Sequence, residues 1–282
     1  MREFAGLAVT ALATVADDVA ATVAALSGLH PAGWSAEDDR VLTAAGAAAG
    51  RALAAFRDEL AGQLPGMAGA EPVGAADFGW FLREVAVLPY TAAELLDLGR
   101  READRAAVLE LLERNRNGSA PGSRPVPRFA TGAEQAAAEA AAELAVRAFY
   151  EDRGLLTQPD TLRHYRTHPV PAYLAPIAWC GVADDLTGPG RLDQDGSAFF
   201  PPPGPDLPYF YAANAADPRA GIIHEGAHFQ QLALSWRHPR AVRRHYYDSC
   251  ANEGIAFYNE ELLLAAGPVS YTHLTLPTIL RV

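Results

Sequence analysis

The residues best suited to chemistry in this 282-residue chain lie at positions 221–231, which read GIIHEGAHFQQ. Within them His224, Glu225 and His228 form the pattern His-Glu-x-x-His. On a helix, positions four apart share a face, so both imidazoles can point at one metal ion. Neutral imidazole suits zinc, and a glutamate next to the first histidine can act as general base toward a water at the metal. Ile222, Ile223 and Phe229 flank the motif and no proline interrupts it, so the spacing predicts an internal helix with one polar patch. A buried His-Glu-His cluster without a metal would be costly to satisfy.

A catalytic zinc needs a third protein ligand and an open position. The extended three-histidine form would place a glycine and a histidine where this chain has Gln231 and Leu234, and it is excluded. The glutamate-type arrangement takes its third ligand from a later helix, here residues 252–266 (NEGIAFYNEELLLAA). Glu253 follows His228 by 25 positions, enough for one helix to end, for the chain to turn through Pro239 and residues 240–247, and for a second helix to return. Gly254 is expected to let the two helices approach closely. Glu260, seven positions after Glu253, lies on nearly the same face and is suited to hydrogen-bond a ligand histidine from behind. Asn252 is a second candidate for that supporting role. His238, His245 and Asp248 compete as ligands by chemistry alone. Tyr211, His245, Tyr246 and Tyr258 are candidates to stabilise a developing oxyanion or to contact substrate.

The HEGAH helix followed by Glu253-Gly254-Ile255-Ala256-Phe257-Tyr258-Asn259-Glu260 resembles the bacterial "domain of unknown function 885" family, whose corresponding run is EG-aromatic-A-x-Y-x-E. Ile255 departs from the aromatic position. The compact HEGAH departs from the longer HE-x-x-PGHH form of many members. Residues 78–105 also resemble the helical region before that family's site, and the likeness spans about residues 30–268. Those proteins are similar to glutamate-type zinc metallopeptidases. The resemblance implies a mostly helical metallopeptidase fold with a small β-sheet beside the HExxH helix.

The expected fold class is therefore mainly α, α+β at most. The expected function is a zinc-dependent hydrolase, a metallopeptidase in which Glu225 activates a water at Zn2+ held by His224, His228 and Glu253. Two other readings stay open. One is a non-catalytic helical binding or scaffold protein with a remnant site. The other is a zinc amidase or esterase acting on non-peptide substrates.

The elements that must position these residues follow from composition. Alanine dominates the first 150 positions, and it is the best helix former. Apolar residues at three- and four-residue spacing predict helices at 5–27 and 36–63, with Ser35 as N-cap of the second. Leu64-Pro65-Gly66 ends it. A short helix is expected at 78–86, a longer one opening with the capping box Thr91-x-x-Glu94, and another over 131–151. Residues 117–128 read as a surface loop. After Gly154 prolines, aromatics and histidines become frequent. Short strands are expected at 172–182 and 209–213, with a loop at 184–208 between them. A strand at 209–214 would offer an edge to which a substrate peptide could add. The expected organisation is a helical region 1–153, a catalytic region 154–268 and a tail 269–282.

The tail (VSYTHLTLPTILRV) breaks the composition of the chain and resembles a translated sequencing adapter, so the natural chain is expected to continue past Pro268 and the 282-residue chain to be weakly active or inactive. The basic residues number 23, all arginine, against 34 acidic ones, a net charge of −11. That balance argues against nucleic acid or an anionic membrane as main partner and leaves a peptide or small amide as substrate. The cluster Arg237, Arg240, Arg243 and Arg244 is suited to a solvated face or to holding a substrate carboxylate. Two distant cysteines exclude a disulfide framework and fit a reducing cytoplasm. Glu3 cancels Arg2 ahead of the apolar N-terminal stretch, which argues for a first helix rather than a signal peptide.

Overall fold

The computed structural model describes residues 2–69, 72–117, 129–180, 188–244 and 249–267. It is 68% helix and 4% strand, which places the chain in the mainly-α class with one two-stranded sheet. It divides into two compact units, one of residues 1–96 and 170–183, the other of 97–169 and 184–282. The expected boundary near 153 therefore falls inside the second unit.

The first unit holds α1 (Arg2–Ala11), α2 (Val15–Ser27), α3 (Ala36–Gln63) and α4 (Ala75–Trp80), which continues into a π-helical turn, Phe81–Val85. Where one helix was expected over 5–27 there are two. Thr14 stands at the start of α2 with Asp17 and Asp18 in its first turn, a helix-start signal in mid-pattern. Ser35 and Asp38 form a full capping box on α3. Gly46 of α3 faces Val23, where a Cβ would lie 2.3 Å from the valine Cγ2, so this helix pair packs at backbone range. A 3-10 helix, Ala175–Cys180, belongs to this unit in place of the strand expected at 172–182. Among the described residues no single helix is long and apolar enough to cross a membrane. Helices α1 and α2 meet that test only as a pair, bent by 42° at their break.

The second unit carries the motif. Helix α5 (Ala92–Asn117) opens on the Thr91–Glu94 box and runs into it; α6 (Gly132–Asp152) opens on a Thr131–Glu134 box. Strands β1 (Tyr165–Pro169) and β2 (Gly196–Phe200) pair in parallel, from Tyr165↔Gly196 to Pro169↔Phe200. Strand β2 lies in what was expected to be a loop. Its inward residues Gly196, Ala198 and Phe200 alternate with period two, but neighbouring prolines and glycines obscure the pattern in sequence. The strand expected at 209–213 is helix α7 (Tyr209–Ala216). Three aromatics favour a strand there, yet the alanines that follow Pro208 are buried along a helix, and packing overrides the local preference. An edge at 209–214 for peptide addition is thereby ruled out. Helices α8 (Arg219–Trp236), α9 (Ala241–Arg244) and α10 (Ser249–Ala266) complete the unit, and Gly267, at φ 100°, ends α10.

Helices α6, α8 and α10 share one core: Val146 and Tyr150, Ile223, and Leu263 are all buried together. The sheet joins from the side. Tyr165 and Ala198 pack with Phe229 and Ala233 of α8, and the Tyr165 and Phe229 rings stack at 5.6 Å. The small sheet thus lies beside the HExxH helix, as expected. The face of α6 toward β1 is polar. Gln135, Glu139 and Glu143 are buried at four-residue spacing, with Glu143 paired to Arg147 and His164. The expected loop 117–128 lies mostly outside the described residues, as does the tail 269–282.

Candidate metal centre

The site is made by two antiparallel helices. Helix α8 presents His224 and His228 one turn apart, their rings 4.9 Å apart and nearly perpendicular. Helix α10 returns opposite, so Glu260 meets His224, Glu253 meets both histidines, and Leu263 meets Ile223. Donor atoms of His224, His228 and Glu253 all lie within 4.8 Å of one another, the only such cluster among the described residues.

The separations fit a small tetrahedral ion. Two ligand atoms about 2.0–2.1 Å from zinc at the tetrahedral angle stand about 3.4 Å apart. His224 Nε2 is 3.3 Å from one Glu253 oxygen, and His228 Nε2 is 3.7 Å from the other. The donor set, two imidazoles and a carboxylate, is one that zinc takes in open sites. Glu253 is half exposed while the histidines are largely buried, so the cluster opens to solvent on the glutamate side.

His224 Nδ1 lies 2.6 Å from Glu260 Oε1. With Nδ1–H donating to Glu260, the Nε2 lone pair is left toward the centre of the cluster. Burial lowers the His224 pKa and is the largest single effect. The Glu260 hydrogen bond and the charges of Glu225, Glu260 and Glu253 together outweigh it and leave the pKa raised. His228 moves the other way: burial and the charge of His224 lower it, against a smaller pull from Glu253. Its Nδ1 is buried with no hydrogen-bond partner among the described residues.

Other candidates fall in different places. Glu225 is half-buried, and its charge acts on His224. Asn252 is buried, but neither atom of its amide has a partner among the described residues, so it makes no hydrogen bond to His224 or His228. Gly254 does not serve helix approach, because no described residue lies within 4 Å of where its Cβ would be. That role belongs to Gly221, whose Cβ would sit 2.6 Å from Asn214 Oδ1 of α7. Tyr211 packs with Leu207, Ala212 and Ala215, and Tyr258 is 65% exposed. His238 Nδ1 accepts from the Arg240 backbone and lies outside the cluster. His245, Tyr246 and Asp248 lie outside the described residues. His164 is paired with Glu143 in a separate network.

Sequence reasoning missed Phe257, whose ring meets His224 edge-on at 5.1 Å and walls the histidine. Its place four residues after Glu253 and three before Glu260 put it on the site's face, which helical phase alone could have shown. Comparison with protein-family models, with curated proteins and with solved structures gave no match.

Proposed function

We propose that this protein is a zinc-dependent hydrolase that cleaves peptide bonds, a glutamate-type metallopeptidase of the kind its HEGAH and NEGIAFYNE segments resemble. The supporting observation is the convergence of His224, His228 and Glu253 from two helices onto one point, with Glu260 bonded behind His224. Zinc, when bound, would supply Lewis acidity toward the scissile carbonyl and toward water. Glu225 takes the proton of the attacking water and returns it to the departing amine. Glu260 holds the His224 ring by Nδ1, and Phe257 blocks its rotation. The open side at Glu253 admits the substrate. A peptide or small amide is the partner that the acidic chain fits, and a reducing cytoplasm is the compartment its few cysteines fit.

The test begins with metal content of chelator-washed, zinc-reloaded protein, with circular dichroism as a check of folding. One zinc per chain is expected, lost in His228→Ala and in Glu253→Ala. Glu225→Gln is expected to keep the zinc and lose at least about a hundredfold in turnover of a peptide library. A folded chain that takes up no zinc would overturn the proposal and leave the non-catalytic binding protein. Turnover confined to non-peptide amides or esters would replace peptidase by amidase or esterase.

A further inference from the structure

Helix α8 outruns its partner. It continues eight residues past His228, whereas α10 begins only four residues before Glu253, which lies opposite that histidine. Beyond the metal cluster the last turns of α8 meet α9 instead, and between them lies an open concavity of about 570 Å³. It is lined by Leu234, Ser235, His238, Arg240, Val242 and Arg243. That volume is in the range of small-ligand sites.

Its place on the helix links it to the metal centre. At about 100° per residue, Ser235 falls between His224 and His228 in helical phase, so the concavity continues the face that carries the histidines. Ser235 lies seven positions after His228, a rise of about 10 Å. An extended peptide covers that distance in about three residues.

Its exposed charge is positive in an acidic chain. The chain carries a net −11, yet among the described residues Arg240 and Arg243 have no acidic partner. Among the described residues, Arg40, Arg57, Arg100, Arg105, Arg147 and Arg219 each pair with a carboxylate. Arg240, Arg243 and Arg244 are exposed and pair with no carboxylate among the described residues, as is also the case for Arg51, Arg101 and Arg153. Arg237 differs from them: it bonds the carbonyls of Ala233, Thr161 and Leu192, and so anchors the end of α8. Leu234 and Val242, 42% and 65% exposed, give the concavity an apolar side.

We propose that this concavity is a substrate subsite that binds a carboxylate about three residues from the scissile bond, held by Arg240 and Arg243 with Leu234 and Val242 under the adjoining chain. Guanidinium forks pair bidentately with carboxylates, and unpaired arginines need break no existing ion pair to do so. The carboxylate belongs either to an Asp or Glu side chain or to the peptide's C-terminus. This assignment rests on the peptidase reading, because it takes the bound chain to run along the histidine face.

The test uses binding rather than turnover, in zinc-loaded protein carrying Glu225→Gln. Two hexapeptides are titrated by calorimetry: Ac-AAAEEE-amide, with side-chain carboxylates only, and Ac-AAAAAA with a free C-terminus. At least one is expected to bind, about tenfold or more weaker in Arg240→Ala/Arg243→Ala, and weaker again as salt rises. Which peptide responds identifies the source of the carboxylate. Arg237→Lys distinguishes a local charge effect from loss of the helix anchor. It is expected to leave peptide affinity within twofold while lowering stability. Equal affinity in the parent and the double-arginine variant, or no binding of either peptide, overturns the subsite. Zinc content and cleavage of neutral peptides by the unsubstituted protein, measured in parallel, separate that outcome from failure of the peptidase reading.

Discussion

Glu260 gives a graded test of how the site is held. Its carboxylate is buried, at 7% exposure, and sits 2.6 Å from His224 Nδ1. If His224 binds zinc through Nε2, this hydrogen bond fixes the tautomer and aim of the ring, and such supports are typically worth about 10–100-fold in metal affinity. Glu260→Gln keeps an acceptor oxygen at the same reach and removes the charge. A charge-assisted bond is about twice as strong as a neutral one, so the loss should be near the lower end, about tenfold or ~1.4 kcal/mol. Glu260→Ala leaves a buried Nδ1–H with no partner, which costs about 1–3 kcal/mol more in desolvation and moves the loss toward a hundredfold. Glu261→Gln is the control. It changes the neighbouring, exposed carboxylate, which pairs with Arg105 on another face. It should leave zinc affinity unchanged. Competition with a chromophoric zinc chelator near neutral pH reads all three, with circular dichroism to confirm the fold. Unchanged affinity in both Glu260 variants would show that His224 does not bind through Nε2, and the ligand set would have to be redrawn.

Two further predictions concern the scaffold. Gly254→Ala in open helix surface should raise stability to urea by up to about 1 kcal/mol, while Gly221→Ala should lower it by about 1–2 kcal/mol, because its Cβ would press on the Asn214 amide. Asn214→Ala should restore most of that loss, and equal stability of the two glycine variants would show that α7 does not press on α8 there. Burial holds the Glu139 carboxyl above its ordinary range, against hydrogen bonds from Thr167 and Gln135. A pKa higher in the folded than in the unfolded chain contributes stability that is present below the unfolded value and lost as pH rises through the folded one. Glu139→Gln should therefore match the parent in acid and exceed it near neutral pH, by about 1.4 kcal/mol per unit of displacement. A gain that does not grow with pH in urea titrations would contradict a buried, reluctant carboxylate.

The convergence of His224, His228 and Glu253, a group that could hold a metal ion, was legible in sequence because it rests on local helical geometry. The four-residue step fixes His224 beside His228, and the seven-residue step fixes Glu260 near the face of Glu253. Helix starts were legible for a similar reason, since Ser35, Thr91 and Thr131 each bond a carboxylate three residues on. The strands were not. Parallel pairing of Tyr165–Pro169 with Gly196–Phe200 joins segments about thirty positions apart, and nothing local announces it. Tyr209–Ala216 misled in the other direction, its aromatics reading as a strand where burial of four alanines makes a helix. Gly254 misled because a glycine beside a ligand suggests close approach, while the contact that needs a glycine is at Gly221, set by Asn214 from a preceding helix. Helix α6 follows the earlier helices in sequence, while its buried face belongs to β1 and α8.

What aims the ligands is the apolar core on the adjacent face rather than the ligands themselves. Ile223 is 1% exposed and Leu263 fully buried, packed with Val146 and Tyr150 of α6. Burying Ile223 sets the rotation of α8 about its own axis. The next residue is turned by about 100°, which carries His224 out of the core and toward α10. Burying Leu263 does the same for α10, and Glu260, one turn back, then faces His224. The rotation of each helix is thus fixed by one large apolar side chain, and a one-residue slip in either would move its ligand about 100° away from the cluster. The three donors, within 4.8 Å of one another, thus lie on helices whose rotation this apolar core sets.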